Sequence, residues 1–248
     1  MYRRQALYLG SALYLLQTWR AAREHGFLRA RPSRATLRNI LRISLPNGVQ
    51  QFFFATGLTI LFWIIGRVGA DEVAVAHILI TLILFLILPA IGLGLSAASL
   101  VGQALGRRDA DDAYRWGWDV TRLAVTLLFV LALPMWLIPD LILGLFLKQP
   151  ELVELGRAPL MITGLAICLD GVAIIFTQAL LGAGAARSVM VVTLAVQWFF
   201  FLPLAYIIGP VLGYGLLGIW LAQAFQRLIT SLLLSGLWMK RGWAHIEL

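Results

Sequence analysis

The sequence predicts an all-α, polytopic membrane protein built as a bundle of six transmembrane helices. Three observations lead there. Hydrophobic residues make up 60% of the 248 and charged residues only 13%, against about 25% charged in soluble globular domains, and the mean hydropathy is +0.86. Six apolar stretches reach the roughly 20 residues that a helix needs to cross the hydrocarbon core of a bilayer. Lys and Arg gather in alternate connections between those stretches, the asymmetry that marks cytoplasmic loops.

The chain reads as three parts: residues 1–42, a six-helix lobe at 43–241, and a cytoplasmic tail at 242–248. The apolar run Ala6 to Leu16 is too short to span. It lacks a small-residue cleavage site before Trp19 and Arg20, so no cleavable signal is read. It is either a surface amphipathic helix or the tail of a truncated transmembrane helix, followed by an arginine-rich connector from Arg20 to Arg42. The six spans run Leu45 to Gly66, Val73 to Leu105, Val120 to Leu143, Ala158 to Leu181, Val189 to Ile208 and Leu216 to Met239. Pro89, Pro134, Pro159 and Pro203 lie within or beside the middle four, so bent helices are expected.

Charge sets the expected orientation. Seven arginines from Arg20 to Arg42 precede the first span. Arg107, Arg108 and Arg115 follow the second, Arg187 the fourth, and Lys240 with Arg241 the sixth. The opposite connections hold little beyond Arg67, Lys148 and Arg157. Both ends of the six-helix unit are therefore expected on the cytoplasmic side. The net charge of +8 is explained by these helix-end arginines and the anionic lipid headgroups they meet, which leaves nothing for nucleic acid.

Enzymatic chemistry finds no constellation. Cys168 is alone and within a span, which excludes a disulfide or a cysteine-based metal site within this chain and leaves a small packing residue. Gly94-Leu95-Ser96-Ala97 has the look of an intramembrane serine-protease motif, but His77 lies on the same span about 28 Å away along a helix. Hydrogen-bond reach between nucleophile and base is thus absent, and no catalytic residue is assigned. Gly92, Gly94, Ser96, Ala97 and Ala98 form a small-residue surface where a neighbouring helix can approach closely.

Asp170 is the leading functional candidate. It sits mid-span, whereas every other acidic residue lies near a span end or in a loop. A charged side chain at the bilayer centre costs roughly 2.5 to 3.5 kcal/mol on insertion scales, so it persists where it faces a cavity, a partner or a cation. Thr163 and Thr177 lie seven residues to either side and share its helix face. Asn47, Gln50 and Gln51 place amides at the start of the first span, and Gln197 places one within the fifth. These amides and hydroxyls serve either a cavity or helix packing. Arg227 is the only cation deep in a span; it either meets a phosphate or pairs with an acid or with carbonyls. Phe53, Trp198 and Tyr206 offer aromatic faces to a cation or form an interfacial belt.

Four segments carry a family resemblance. Leu41-Arg42-Ile43-Ser44-Leu45-Pro46-Asn47-Gly48-Val49-Gln50-Gln51 looks like the opening of the seventh helix of the multidrug and toxic compound extrusion (MATE) family. Val101-Gly102-Gln103-Ala104-Leu105-Gly106-Arg107-Arg108-Asp109 resembles the exit of its eighth helix. Gln178-Ala179-Leu180-Leu181-Gly182-Ala183-Gly184 resembles its tenth-helix exit, and Phe201-Leu202-Pro203-Leu204-Ala205-Tyr206 is similar to its eleventh helix. The resemblance implies the carboxy-terminal six-helix lobe of a twelve-helix antiporter in the bacterial inner (plasma) membrane. It implies H+- or Na+-coupled export of an organic cation, working with an amino-terminal lobe or a second copy of this chain. The cation-site Asp of sodium-coupled relatives falls on Asp170, but their Tyr falls on Ala166 and their Glu on Phe54. The resemblance thus implies H+ or a possible Na+ at Asp170, with no other metal and no cofactor. The Ala76-His77 pair resembles a family feature whose usual following Gln is here Ile78. Flippases for lipid-linked sugars share the superfamily architecture and remain an alternative, as does an inactive fragment.

Overall fold

The computed structural model describes residues 34–245, with side chains from Leu45 onward except those of Pro46, Asn47 and His245. The expected amino-terminal helix within residues 1–23, the connector as far as residue 33, and the end of the tail lie outside the described residues. Contacts divide the chain into residues 1–45 and 46–248. Of the first unit, residues 34–45 are described as helical, and the packing below concerns the second.

The described residues are helical throughout, in the order α1 Arg34–Gly66, α2 Ala70–Gly106, α3 Ala110–Leu137, a short α4 Pro139–Gly144, α5 Pro150–Gly182, α6 made of the consecutive segments Ala186–Ala195 through Ile207–Val211, α7 Gly215–Met239, and a 3-10 turn Gly242–His245. Six of these are long and apolar enough to cross a membrane: α1 from Gly48, α2, α3, α5, α6 and α7.

The third span departs from expectation. It begins at Ala110, because Asp109 caps the helix by accepting a hydrogen bond from the Asp112 amide at 2.9 Å, the geometry that satisfies an orphan first-turn donor. It ends at Leu137 instead of running to Leu143. Ile138 precedes Pro139 and takes φ −138 and ψ 49, outside the helical region that a following proline disfavours. Pro139 then opens α4. Likewise α5 starts at Pro150, where a missing N–H costs nothing.

The prolines are handled in two ways. Pro89, Pro134 and Pro159 lie inside uninterrupted helices. In α6 the backbone widens into π turns at Val196–Phe201 and Ile207–Val211, on either side of the α turn that carries Pro203. Pro210 lies within the second. Proline supplies no N–H and its ring crowds the carbonyl one turn back, and a π turn is one way to relieve that crowding.

The centre of the bundle is α5, 44% of whose most apolar window is buried, more than in any other span. It contributes to every apolar cluster. Leu160 joins Leu61, Ile65, Val75, Leu79 and Trp220 in one. Phe176 and Leu180 join Val101, Leu234, Trp238 and Trp243 in another. Ile167 and Ile175 meet α2 and α3 between them.

Only part of the small-residue surface on α2 is used. Gly94 lies under the Gln178 side chain, and Gly182 abuts the Ala98 backbone so closely that a Cβ on Gly182 would come within 2.8 Å of Ala98 Cα. Gly92 has open space around it, and Ser96 turns back to the Gly92 carbonyl at 3.2 Å.

Replacing Gly182 with alanine forces two backbones apart, so it is expected to lower stability by about 1–3 kcal/mol. Gly92→Ala should be neutral or slightly stabilising, as expected for a helical glycine in open space. Thermal unfolding of the purified variants in one detergent checks both.

Candidate functional site

Helices α5 and α7 run in the same direction, since a single span, α6, separates them, and they meet in register. The Trp220 indole Nε1 donates to Thr163 Oγ1 at 3.0 Å, and Thr163 Oγ1 in turn donates to the Pro159 carbonyl at 2.9 Å. Seven residues further along each helix, Arg227 Nη1 pairs with Asp170 Oδ2. Both pairs keep the same offset of 57 residues, as two parallel helices do when each step of seven residues rises about 10.5 Å.

The ion pair is interior. The Asp170 and Arg227 side chains are 17% and 14% exposed, far less than the surface pairs Arg107–Asp112, Arg122–Asp119, Arg157–Asp140 and Arg241–Asp111. Such surface pairs contribute little, typically under about 1 kcal/mol each. An interior pair differs because removing one partner strands the other charge.

The surroundings of Asp170 on its own helix are apolar. One turn away in either direction stand Ala166, Ile167, Ala173 and Ile174, and a Cβ on neighbouring Gly171 would strike Leu128 of α3. The polar company comes from α7, where Gln223, Gln226, Thr230 and Ser231 are half-buried or buried within one turn of Arg227. The Thr230 and Ser231 hydroxyls donate to the carbonyls of Gln226 and Leu228 at 2.9 Å each.

The sequence candidates are therefore distributed over two seams. Thr163 and Asp170 both face α7, one through Trp220 and the other through Arg227. Thr177 is half-buried further along α5. Gln197 lies on the other seam, its side chain pressed on Gly57 of α1. There the ring of Trp198 meets Phe53 edge-on at 5.3 Å, and Tyr206 stacks on Trp63 at 6.0 Å. Trp198 Nε1 and Arg227 Nη1 are both buried without a hydrogen-bond partner among the described residues, so the Arg227–Asp170 contact is one of charge and not an aligned hydrogen bond. Gln50 is half-buried and Gln51 exposed on α1, while the Asn47 side chain lies outside the described residues. No described contact joins Gln50, Gln51, Gln197 or the aromatics to Asp170. Ala166 is buried and Phe54 is 53% exposed, so neither offers an oxygen at the Asp170 carboxylate. Among the described residues no group of three or more His, Cys, Asp or Glu is placed to hold a metal.

Sequence reasoning gave less weight to Arg227 than the structure does, and it passed over Trp220 and the α7 amides. The signal was present: Trp220 and Arg227 repeat the seven-residue spacing of Thr163 and Asp170, and α7 is the least apolar of the six candidate spans.

A bundle of six membrane-length helices around a charged pair defines a polytopic α-helical membrane protein. The MatE family model matches residues 46–207, and the chain belongs to the MatE family. It is 27% identical over 218 residues to a probable multidrug resistance protein NorM of Thermotoga maritima, covering 85% of this chain and 46% of that protein. It is 28% identical over 247 residues to a probable multidrug resistance protein NorM of Brucella suis, covering 97% and 52%. The chain thus spans about half the length of the curated relatives it matches. It superposes on about half of a solved structure described as the outward-facing conformation of a multidrug resistance MATE family transporter of the MOP superfamily, with a TM-score of 0.80 at 18% identity over 88% of this chain and 49% of that one. A MOP superfamily transporter from Pyrococcus furiosus superposes with a TM-score of 0.79 at 18% identity, covering 88% and 49%.

Breaking the ion pair from either side should cost about 3–5 kcal/mol, whereas removing both charges should restore most of the loss. A double-mutant cycle with Asp170→Leu and Arg227→Met, read by thermal unfolding in nanodiscs, measures the coupling. Trp220→Phe removes one neutral hydrogen bond and leaves a cavity at a fully buried indole, and is expected to cost about 1–3 kcal/mol.

Proposed function

We propose that this chain is one lobe of a cation-coupled exporter of organic cations, with Asp170 as the coupling carboxylate. Its place is the bacterial inner membrane, with the ends of the six-helix unit in the cytoplasm. The observation that carries the reading is the Asp170–Arg227 pair in the interior of a MatE-family lobe. Interior charges are expensive and mark ion or substrate pathways by default.

Competition for one carboxylate supplies the coupling. In the resting lobe Arg227 neutralises Asp170. An organic cation reaching the pair from the cytoplasmic side shares the carboxylate with the guanidinium. A coupling ion arriving from outside neutralises Asp170, withdraws the counter-charge, and the organic cation leaves outward. The α5–α7 seam, held by Trp220 and Thr163 two turns away, is the element that senses the change.

Alternating access needs two bodies rocking around a midplane site, so the partner is an amino-terminal lobe or a second copy of this chain. The orientation rests on charge. Arg107, Arg108, Arg115, Lys240 and Arg241 all stand at one end of α2, α3 and α7, where Arg107 meets Asp112 and Arg241 meets Asp111. The opposite end carries Arg157 beside Asp140 and a shallow cleft of about 440 Å³ lined also by Lys148 and Glu154. The flippase alternative leaned on Arg227 as a phosphate ligand, and that guanidinium is already engaged by a carboxylate.

The test is drug efflux in cells lacking their own pumps. The chain alone, the chain with a matching amino-terminal lobe, and each form carrying Asp170→Asn are compared at equal expression. Efflux is expected wherever a complete two-lobe assembly forms, and Asp170→Asn should abolish it. Undiminished efflux by Asp170→Asn would make the carboxylate structural and end this reading.

A further inference from the structure

The carboxylate at the centre of the lobe already has a cation, and that cation is covalently part of the chain. We infer that Arg227 is the resident counter-ion of Asp170 and excludes alkali metal ions from it, so that this lobe holds no sodium at Asp170 while Arg227 is in place. The inference deepens the proposed role of Asp170 by naming what can compete there. It stands on the geometry of α5 and α7, independently of whether the chain transports anything.

Three observations support it. The guanidinium occupies the contact position on Asp170 Oδ2, so a metal ion at that oxygen would face a like charge at van der Waals distance. Hard cations bind through several oxygens; α5 offers none nearby, with Ala166, Ile167, Ala173 and Ile174 one turn away, and the amide and hydroxyl oxygens of Gln223, Gln226 and Thr230 stand on α7 on either side of Arg227, open to a metal ion only once the guanidinium is gone. Thr163 and Thr177, two turns off at about 10.5 Å along the helix, are out of reach of the same ion. The Thr163 hydroxyl is moreover spent on Pro159 and Trp220.

The other helices packed on α5 bring no second carboxylate to the site. On α3 the residues against Gly171 are Leu128 and Ala124, and the nearest charges on that helix, Asp119 and Arg122, pair with each other nearer its start. On α2 the charges Asp71, Glu72 and Arg107 stand at the two ends. On α7 the only charge within the helix is Arg227.

The experiment reads binding, with sodium alone as the probe. The 248-residue chain in nanodiscs is melted in sodium chloride and in choline chloride at equal ionic strength, and equilibrium binding of radioactive sodium is measured in parallel. The parent and Asp170→Asn should show the same melting shift between the two salts and no saturable sodium binding. Arg227→Met, which keeps the apolar stem and removes the charge, should gain a sodium-specific upward shift and saturable binding, because a ligand that binds only the folded state stabilises it. Both gains should vanish in Arg227→Met with Asp170→Asn. Saturable sodium binding by the parent that Asp170→Asn abolishes would overturn the inference, and so would a folded Arg227→Met that gains nothing. The parent and Asp170→Asn arms decide the matter if Arg227→Met does not fold. Failure of efflux would count against the proposed function and leave this result untouched.

Discussion

Two opposite charges inside an apolar bundle are tolerable only together. The Coulomb attraction of a contact pair rises as the dielectric falls, but so does the cost of desolvating each ion, and the pair survives only while both partners stay in place. Asp170 and Arg227 therefore constrain everything around them. Two helices separated in sequence by a single span must lie side by side at fixed register, with small or apolar residues between. The bundle meets that demand. Gly171 lets Leu128 of α3 pack closely on α5 beside the carboxylate, and the seam is fastened two turns away by a Trp–Thr hydrogen bond at the same offset. The large apolar clusters lie to either side, one near Leu160 and Trp220 and the other near Phe176 and Trp238.

Much of this architecture was legible in the sequence, because hydropathy and helix length are local properties. All six spans are there, and the second to fifth differ from expectation mainly in starting earlier or ending later, apart from the earlier end of the third. The start of α3 shows why. Asp111, Asp112 and Arg115 look like loop residues by polarity, yet Asp109 caps a helix that carries them as its first turns, since a helix gives up nothing by extending into water. Its end at Leu137 was legible in Pro139 but overridden by the apolar run that follows. The π turns of α6 were not legible beyond Pro203 and Pro210 themselves, because a wide turn is only one of several ways to relieve a proline.

The site was legible in one residue and illegible in its partnership. Asp170 stands out by isolation, which is a property of a single position. That Arg227 neutralises it depends on which spans become neighbours, information carried by no local pattern except the matched seven-residue spacing. The amides show the same limit. Gln197 reads as a cavity residue or as glue, and in the fold it fills the notch left by Gly57, a contact that only the crossing of α1 and α6 creates. The phenyl and indole rings of Phe53 and Trp198, plausible company for a cation in one dimension, pack on one another along that seam.

On the proposed function, the pairing also changes what a single carboxylate can do in an exchange cycle. A free carboxylate would give the interior a charge of minus one, and binding either an organic cation or a proton would cancel it. With Arg227 present the interior is neutral at rest. Protonating Asp170 then leaves the guanidinium unbalanced, and a like charge 4 Å away at an effective dielectric of 20 is repelled by about 4 kcal/mol. On the proposed reading the proton does more than displace the organic cation. It turns a neutral site into a cationic one that rejects the same cargo, and the two ligands become mutually exclusive through charge alone, without a second carboxylate in this lobe. On that reading, the tethered arginine converts weak competition into exclusion.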